Sequence, residues 1–328
     1  MSTAVPQKVI DALHARPDDD APLVAFADEL SHAGDVRGEL AVLVAQRKLK
    51  PMMHFLLMHA AKLFGPAEPF VHDGVIDELG WAPGFVRRAT IHEAEDASAS
   101  VADVTLALLA SPAGCLVRAL EIPELGEASS EELLAALATH QAPKLIDTLI
   151  IDDHLDAFGA LWKVIPAVRH LAVRGIAQDV TGFSTRRLEA LSWLDTAFER
   201  DVVKALLKLK WPALERLELR PVDDEEGAVE QAGLLEFLDK VDAPRLSHLA
   251  LRNFRLDEDD VGALFESERF EHLESLDLGH CEVLPEAAVV VFEAESNFGE
   301  VKVCLPGDFA EELPECANPV WPGLIRSR

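Results

Sequence analysis

The chain has 328 residues, of which 49% are hydrophobic, so it holds enough apolar material for one elongated or two compact folded domains. Its 30 basic and 58 acidic side chains give a net charge of −28. A chain this acidic lacks the basic footprint needed by a nucleic-acid or anionic-membrane ligand. Four cysteines without Cys-x-x-Cys spacing, and an N-terminus without a basic start and apolar run, predict a reduced, cytoplasmic protein.

An acidic stretch, RPDDDAPLVAFADEL at residues 16–30, precedes the first clear element. Asp20 followed by Ala21 and Pro22 is typical of a helix N-cap with proline at an early helical position. We also expect Asp28 to pair with Arg37 of the next helix. A calcium loop or an acidic catalytic site is the alternative, but adjacent carboxylates splay apart and the alternating ligands of a calcium loop are missing.

From residue 84 onward one pattern recurs: apolar, two variable, apolar, one variable, apolar. It is clearest as LERLEL from Leu214, LSHLAL from Leu246 and LESLDL from Leu273. Alternate side chains of a strand share a face, so the last two apolar positions of each copy point into one core. Nine copies follow each other at intervals of 20 to 32 residues, and their middle apolar residues are Ala89, Leu120, Leu149, Leu171, Leu191, Leu217, Leu249, Leu276 and Val301.

Helix-forming segments fill the intervals between these copies. SSEELLAALATH and DEDDVGALF begin with capping and acidic residues and continue with an apolar stripe, and DTAFERDVVKALLKLK and LPEAAVVVF follow the same scheme. The shortest intervals, around Arg169 to Ser192, leave room for only a turn or a 3₁₀ segment. Parallel strands need crossovers of about a dozen residues, so the pattern predicts an α/β solenoid.

The repeating strand and helix resemble the leucine-rich repeat family, and the longer copies resemble its ribonuclease-inhibitor-like branch. The resemblance implies a horseshoe with parallel inner strands and outer helices, which binds partners on its concave face. The family usually places Asn or Cys three residues beyond the third apolar position, where it bonds to the turn backbone. Cys281 fits that place, whereas Phe254 and Val222 occupy it in the two preceding copies.

The N-terminal segment resembles a small bacterial module, the repeat-companion domain, that usually precedes such repeats. The two resemblances imply an all-helical module at 1–83 and a leucine-rich-repeat domain at 84–304, and the module implies no biochemical activity. The shared residues are Pro17 to Val24, Ala27, Asp28, Leu30, Gly34, Asp35, Arg37, Gly38 and Glu39, with Trp81, Gly84 and Phe85 leading into the first repeat strand. The Pro-rich segment 305–328 is predicted to be a C-terminal cap and tail, because a solenoid needs a cover over its last apolar layer.

Motifs that carry catalysis are missing from the sequence. It has no phosphate-cradling glycine loop, no Gly-x-Ser-x-Gly elbow and no His-Glu-x-x-His helix. His272, His280 and Cys281 flank one strand and are an alternative set of metal ligands. His272 precedes the strand and the other two lie beyond it, so they are not expected to converge on one ion. We therefore predict no catalytic residue, no metal, no cofactor and no small-molecule substrate.

The variable positions between the ladder residues are expected to form the concave face. Of these 27 positions, six hold Arg or Lys, five hold Asp or Glu and three hold His, so this face is near neutral in a chain of charge −28. Like charges on neighbouring strands cost stability, and arginine grips carboxylates and phosphates, so a basic cluster there indicates a binding surface. The predicted partner-binding residues are His170, Arg174, Arg216, Arg220, His248 and Arg252.

Two alternatives stand beside this hypothesis of a non-catalytic scaffold that binds another protein. Glu218 and Asp277 lie close enough in sequence pattern to neutralise the arginines, which would make the cluster an internal mosaic of ion pairs. In the second alternative, the protein is an acidic inhibitor or immunity-type protein that masks a basic effector through its convex surface.

Overall fold

A computed structural model describes the chain at residues 4–93, 99–123, 125, 130–140, 145–154, 158–174, 183–196, 200–221, 235–266, 273–284, 286–287, 290 and 302–304. The chain divides into two compact units. The first comprises Met1–Asp153 and Gly159–Val168, and the second comprises His154–Phe158 and Arg169–Arg328.

The first unit starts with helices. They are α1 (Gln7–Ala15), α2 (Ala21–His32), α3 (Val36–Ala45), α4 (Leu49–Phe64), a 3₁₀ turn (Gly65–Ala67) and α5 (Glu68–His72). The predicted all-helical segment therefore extends to His72, after which the chain enters a strand. Apolar side chains of α1 and α2 share a buried cluster with strand and loop residues of the same unit, and its members are Val9, Leu13, Leu23, Phe26, Leu30, Ala82, Phe85, Leu116 and Leu145.

Helix α2 begins where the acidic stretch predicts, although its carboxylates act differently from the expectation. Asp20 occupies the N-cap position without a side-chain cap bond. The Asp19 carboxylate accepts a hydrogen bond from the Ala21 backbone N–H at 3.0 Å, and the Asp20 carboxylate instead pairs with Arg87 at 3.1 Å. The stretch is thus a helix start whose third carboxylate, Asp20, pairs with the first repeat strand.

Arg37 pairs with Asp35 and not with Asp28, so the predicted partner is wrong. Its guanidinium lies 2.8 Å and 3.0 Å from the two Asp35 carboxylate oxygens, donates to the Pro112 carbonyl and stacks over the Phe85 ring. The side chain is 1% exposed. A charge this deeply buried needs a nearby partner, and the N-cap residue of the same helix supplies one at lower conformational cost than a residue on α2.

Two glycines permit this close packing. A Cβ on Gly38 would lie 2.3 Å from the Ser31 backbone nitrogen, so only glycine lets α3 approach α2. Gly84 has φ +79°, and a Cβ there would lie 2.6 Å from the Arg37 carbonyl oxygen. The turn before the first repeat strand is therefore fitted directly against the backbone of Arg37.

Four strands follow in the first unit, with helices between them: β1 (Ile76–Ala82), β2 (Phe85–Ile91), α6 (Val101–Ala110), β3 (Ala119–Ile122), α7 (Ser130–Ala138), β4 (Thr148–His154) and α8 (Phe158–Val164). β2, β3 and β4 are parallel neighbours, with Ala89, Leu120 and Leu149 in register. β1 pairs antiparallel with β2. The repeat pattern does not predict β1, which covers the free edge of the first repeat strand.

The second unit continues the same alternation, with β5 (His170–Arg174), β6 (Ala190–Thr196), α9 (Arg200–Leu206), β7 (Arg216–Pro221), β8 (His248–Leu256), α10 (Glu258–Glu266), β9 (Ser275–Val283) and β10 (Lys302–Cys304). All described neighbours from β5 to β10 are parallel. Helix α10 begins with a reciprocal pair of bonds between Asp257 and Asp260, as the DEDD sequence predicts. Segment LPEAAVVVF lies largely outside the described residues.

The predicted leucine spine is confirmed by the strand register. Leu171, Leu191, Leu217, Leu249 and Leu276 are consecutive partners across β5 to β9, and all of them are buried. Each unit therefore carries strands in chain order with helices in several of the crossovers that the structure describes, which is a solenoid-like α/β arrangement.

Candidate interaction surface

Opposite the leucine spine, alternate side chains of β5 to β9 form a polar surface, which we call the strand face. The register arranges it in rows. One row is His170, Ala190, Arg216, His248 and Ser275; the next is Ala172, Ser192, Glu218, Ala250 and Asp277. Arg174, Arg220 and Arg252 lie two residues further along their strands. All six residues predicted to bind a partner are therefore on this face.

At the centre of the strand face lies a buried ion-pair network, which we call the Arg252 network. Arg252 Nε donates to Glu218 at 3.1 Å, and its Nη2 donates to Asp277 at 2.8 Å. Glu218 also accepts from the Ser192 hydroxyl at 2.9 Å, and Asp277 accepts from the Gly279 backbone N–H at 2.9 Å. One guanidinium thus joins carboxylates from the strands on both sides of its own.

Burial and charge act in opposite directions on Arg252. Desolvation by itself would lower the pKa of the guanidinium, but the carboxylates of Asp277 and Glu218 outweigh it and raise the pKa above its ordinary value. Arg252 is only 9% exposed and Glu218 only 6%. For these residues the structure matches the mosaic alternative, since each charge has an internal partner.

The row beside this network is more accessible. Arg216 Nη2 lies 3.4 Å from His170 Nε2, and His248 Nδ1 lies 2.8 Å from the Ser275 hydroxyl. The two histidine side chains are about a quarter to a third exposed. The structure therefore brings His170 and Arg216 into contact, and it pairs His248 with the following strand.

Arg174 and Arg220 complete the predicted set. Both are half-buried, they lie on β5 and β7 with β6 between them, and each has a partner in the structure. The strand face thus carries half-buried His170, Arg174, Arg216 and Arg220 around the Arg252 network, with His248 at one side.

A second ladder of charge was not foreseen, although the sequence carries a signal for it. Arg169 makes two bonds to Glu189, at 2.8 Å and 2.7 Å, and Arg118 pairs with Asp147. Each of these residues immediately precedes a strand, at the same position of successive repeats. Alternating charge at one repeat position is the pattern that would have identified these pairs.

Cys281 bonds to the backbone, as the resemblance implies, but its acceptor lies within a strand and not in a turn. Its thiol donates to the Leu251 carbonyl of the preceding strand at 3.2 Å. Burial raises the pKa of the thiol to about 12, so it stays protonated and able to donate. Phe254, at the equivalent place one repeat earlier, is buried without a donor.

Among the described residues, His, Cys, Asp and Glu side chains form no group of three that is arranged to hold a metal ion. His280 is exposed while Cys281 beside it is buried, and His272 lies outside the described residues. In the described part of the chain no helix is both long and apolar enough to cross a membrane.

Comparison with known proteins gives little further information. No protein-family model matches the chain, and no curated protein matches it either. A crystal structure of a Bacteroides fragilis protein, a structural-genomics target, aligns with a TM-score of 0.43 at 12% identity, covering 65% of this chain and 72% of that one. A likeness of this size carries no argument, so the repeat-like α/β fold rests on the strand register itself.

Proposed function

We propose that the protein is a non-catalytic interaction scaffold of the leucine-rich-repeat type, with an N-terminal repeat-companion module, that binds another protein through its strand face. With four dispersed cysteines, we expect it to act in the cytoplasm. The observation that carries the proposal is the row of half-buried Arg216, His170 and His248 beside a rigid network of buried charge.

A preorganised polar surface favours binding because little conformational entropy is lost when the partner arrives. The Arg252 network holds the buried centre of the strand face in one arrangement, since its charges already pair with one another. The arginines around it are half-buried, and guanidinium groups suit carboxylates offered by an acidic segment of a partner. This narrows the binding set to His170, Arg174, Arg216, Arg220 and His248, with Arg252 in a supporting position.

The test is capture of a partner by the full-length protein from the cytoplasm of its own organism, followed by calorimetry with the purified partner. Arg216→Ala combined with Arg220→Ala should weaken binding about tenfold or more. The matched control is Lys240→Ala with Arg245→Ala, which removes two exposed positive charges away from the strand face. Equal affinity for both double variants would reject the strand face as the site.

A second candidate function, the acidic inhibitor, is favoured by the position of the acidic residues. Glu131 and Glu132 on α7, and Glu258 and Asp259 on α10, are exposed. A basic effector bound by such helices would dissociate steeply with added salt and ignore the arginine substitutions. Loss of binding on changing either pair, Glu131 and Glu132 or Glu258 and Asp259, to the matching amides, with Arg216→Ala and Arg220→Ala having no effect, would establish this function instead.

A further inference from the structure

Helix α4 carries an unusual concentration of exposed apolar side chains. In the described part of the chain six large apolar side chains are exposed, and four of them belong to this helix: Leu49 at 70%, Met53 at 57%, Leu57 at 72% and Met58 at 67%. Leu49, Met53 and Leu57 are spaced four residues apart, so they form one row along the helix. Exposed apolar side chains gathered in this way mark an interaction site.

The row is separate from the face that α4 uses for folding. Phe55, Leu63 and Phe64 of the same helix are buried, and the Phe64 ring contacts Trp81 edge-on at 6.1 Å between centroids. Phe55 and Leu63 lie on a different stripe of the helix and Phe64 anchors its last turn, so residues outside the exposed row hold α4 in place. Its exposed row is free to contact another molecule without disturbing the core.

Charge distinguishes this helix from the rest of the protein. Residues 40–67 contain Arg47, Lys48, Lys50 and Lys62 and no Asp or Glu, so they carry +4 in a chain of −28, and the remaining residues carry −32. All four cations are exposed, and none forms an ion pair with another residue that the structure describes. Lys50, His54, Met58 and Lys62 are also spaced four residues apart. They form a second row beside the apolar row, and this second row is basic apart from Met58.

We propose that these two rows, the α4 face, bind an acidic amphipathic helix of a partner protein. Such a helix presents apolar residues at positions i, i+3, i+4 and i+7, which would lie along Leu49, Met53 and Leu57. Carboxylates on its flank would reach Lys50 and Lys62. The apolar contact supplies the affinity, and the charges set the orientation of the bound helix.

An anionic bilayer is a poorer occupant of the same face. A bilayer extends far beyond one helix, so it would also meet the acidic surface of a protein whose net charge is −28. A peptide helix contacts only the α4 face, and charges further away are screened over about 8 Å at physiological salt. Binding to a bilayer would therefore include repulsion from the acidic surface of the whole protein, whereas binding to a peptide helix would largely avoid it.

The experiment uses the full-length protein and a synthetic fluorescent peptide of about 20 residues that forms an amphipathic helix with Leu on one side and Glu on the other. Fluorescence anisotropy should show saturable binding. A peptide of the same length with Lys in place of every Glu should bind at least about tenfold more weakly. Met53→Ser with Leu57→Ser, and separately Lys50→Glu with Lys62→Glu, should each weaken binding of the Glu peptide by about tenfold or more.

Val24→Ser with Val42→Ser is the matched control, since it removes two exposed apolar side chains outside α4 and should leave binding unchanged. Arg216→Ala with Arg220→Ala should also leave it unchanged, which separates this site from the strand face. Equal binding of the Lys peptide would overturn the proposal. So would binding to phosphatidylglycerol vesicles without binding to the Glu peptide, or self-association that depends on Met53 and Leu57 while the peptide does not bind.

Discussion

The strand face and the α4 face are both rich in basic residues, yet they treat charge in opposite ways. On the strand face Arg252 is buried between Glu218 and Asp277, and its positive charge is neutralised within the fold. On α4 the cations Lys50 and Lys62 are exposed, and none of the described carboxylates pairs with them. The positive charge of a sequence segment therefore does not reveal whether that charge serves stability or recognition, because this depends on which partner lies within reach.

The free energy of unfolding should change most when the buried Arg252 network is broken. Arg252→Ala would leave the carboxylates of Glu218 and Asp277 buried without their cation, so we expect the free energy of unfolding to fall by about 3–5 kcal/mol. Urea denaturation followed by circular dichroism measures it. As a control, Glu218→Gln, Arg252→Met and Asp277→Asn together remove all three charges and should recover most of the loss. A cost below about 1 kcal/mol for Arg252→Ala would mean that the network does not hold the sheet.

A smaller effect is expected at the edge of the same network. The Ser192 hydroxyl is fully buried and donates to Glu218 at 2.9 Å, so Ser192→Ala should cost about 1–2 kcal/mol by leaving a buried carboxylate oxygen without that donor. The same substitution made together with Glu218→Gln should cost less, because the acceptor is then neutral. Equal costs in the two backgrounds would show that the hydroxyl and the carboxylate do not interact.

The smallest effect on stability is expected on α4. Lys50→Gln with Lys62→Gln should change the free energy of unfolding by less than about 0.5 kcal/mol, since exposed charges without partners contribute little to folding. Thermal unfolding of the purified variant is a sufficient measurement. A loss above about 1 kcal/mol would show that these cations stabilise the fold, and the contrast between the two faces would then fail.

The register of the strand face could be read from the sequence because leucines recur with a period of two within each strand and once in each repeat. This placed Leu217, Leu249 and Leu276 side by side, and with them the row of His170, Arg216 and His248. The sequence does not determine whether Arg252 pairs with Glu218 and Asp277, because that pairing depends on the rotamer of a long side chain.

Other features were missed because they depend on contacts that no period reveals. Strand β1 follows the helices without an alternating pattern and exists through its pairing with β2. The proximity of the two helices in sequence favours Asp28 as the partner of Arg37, whereas Asp35, at the N-cap of the same helix, is the carboxylate that pairs with it. The exposed row on α4 could not be predicted from the sequence, because apolar residues occur on several sides of this helix and their spacing does not tell which side faces the core.

Arg37 also has a consequence for anyone who divides this chain. The sequence resemblance puts a boundary at residue 83, but Arg37 lies on one side of it while Phe85 and Pro112, which its guanidinium contacts, lie on the other. A fragment trimmed to begin at residue 84 would expose an aromatic ring and a carbonyl that are normally covered. A fragment that contains these repeats should therefore also include the helices from Gln7 onward if it is to be grafted onto another scaffold.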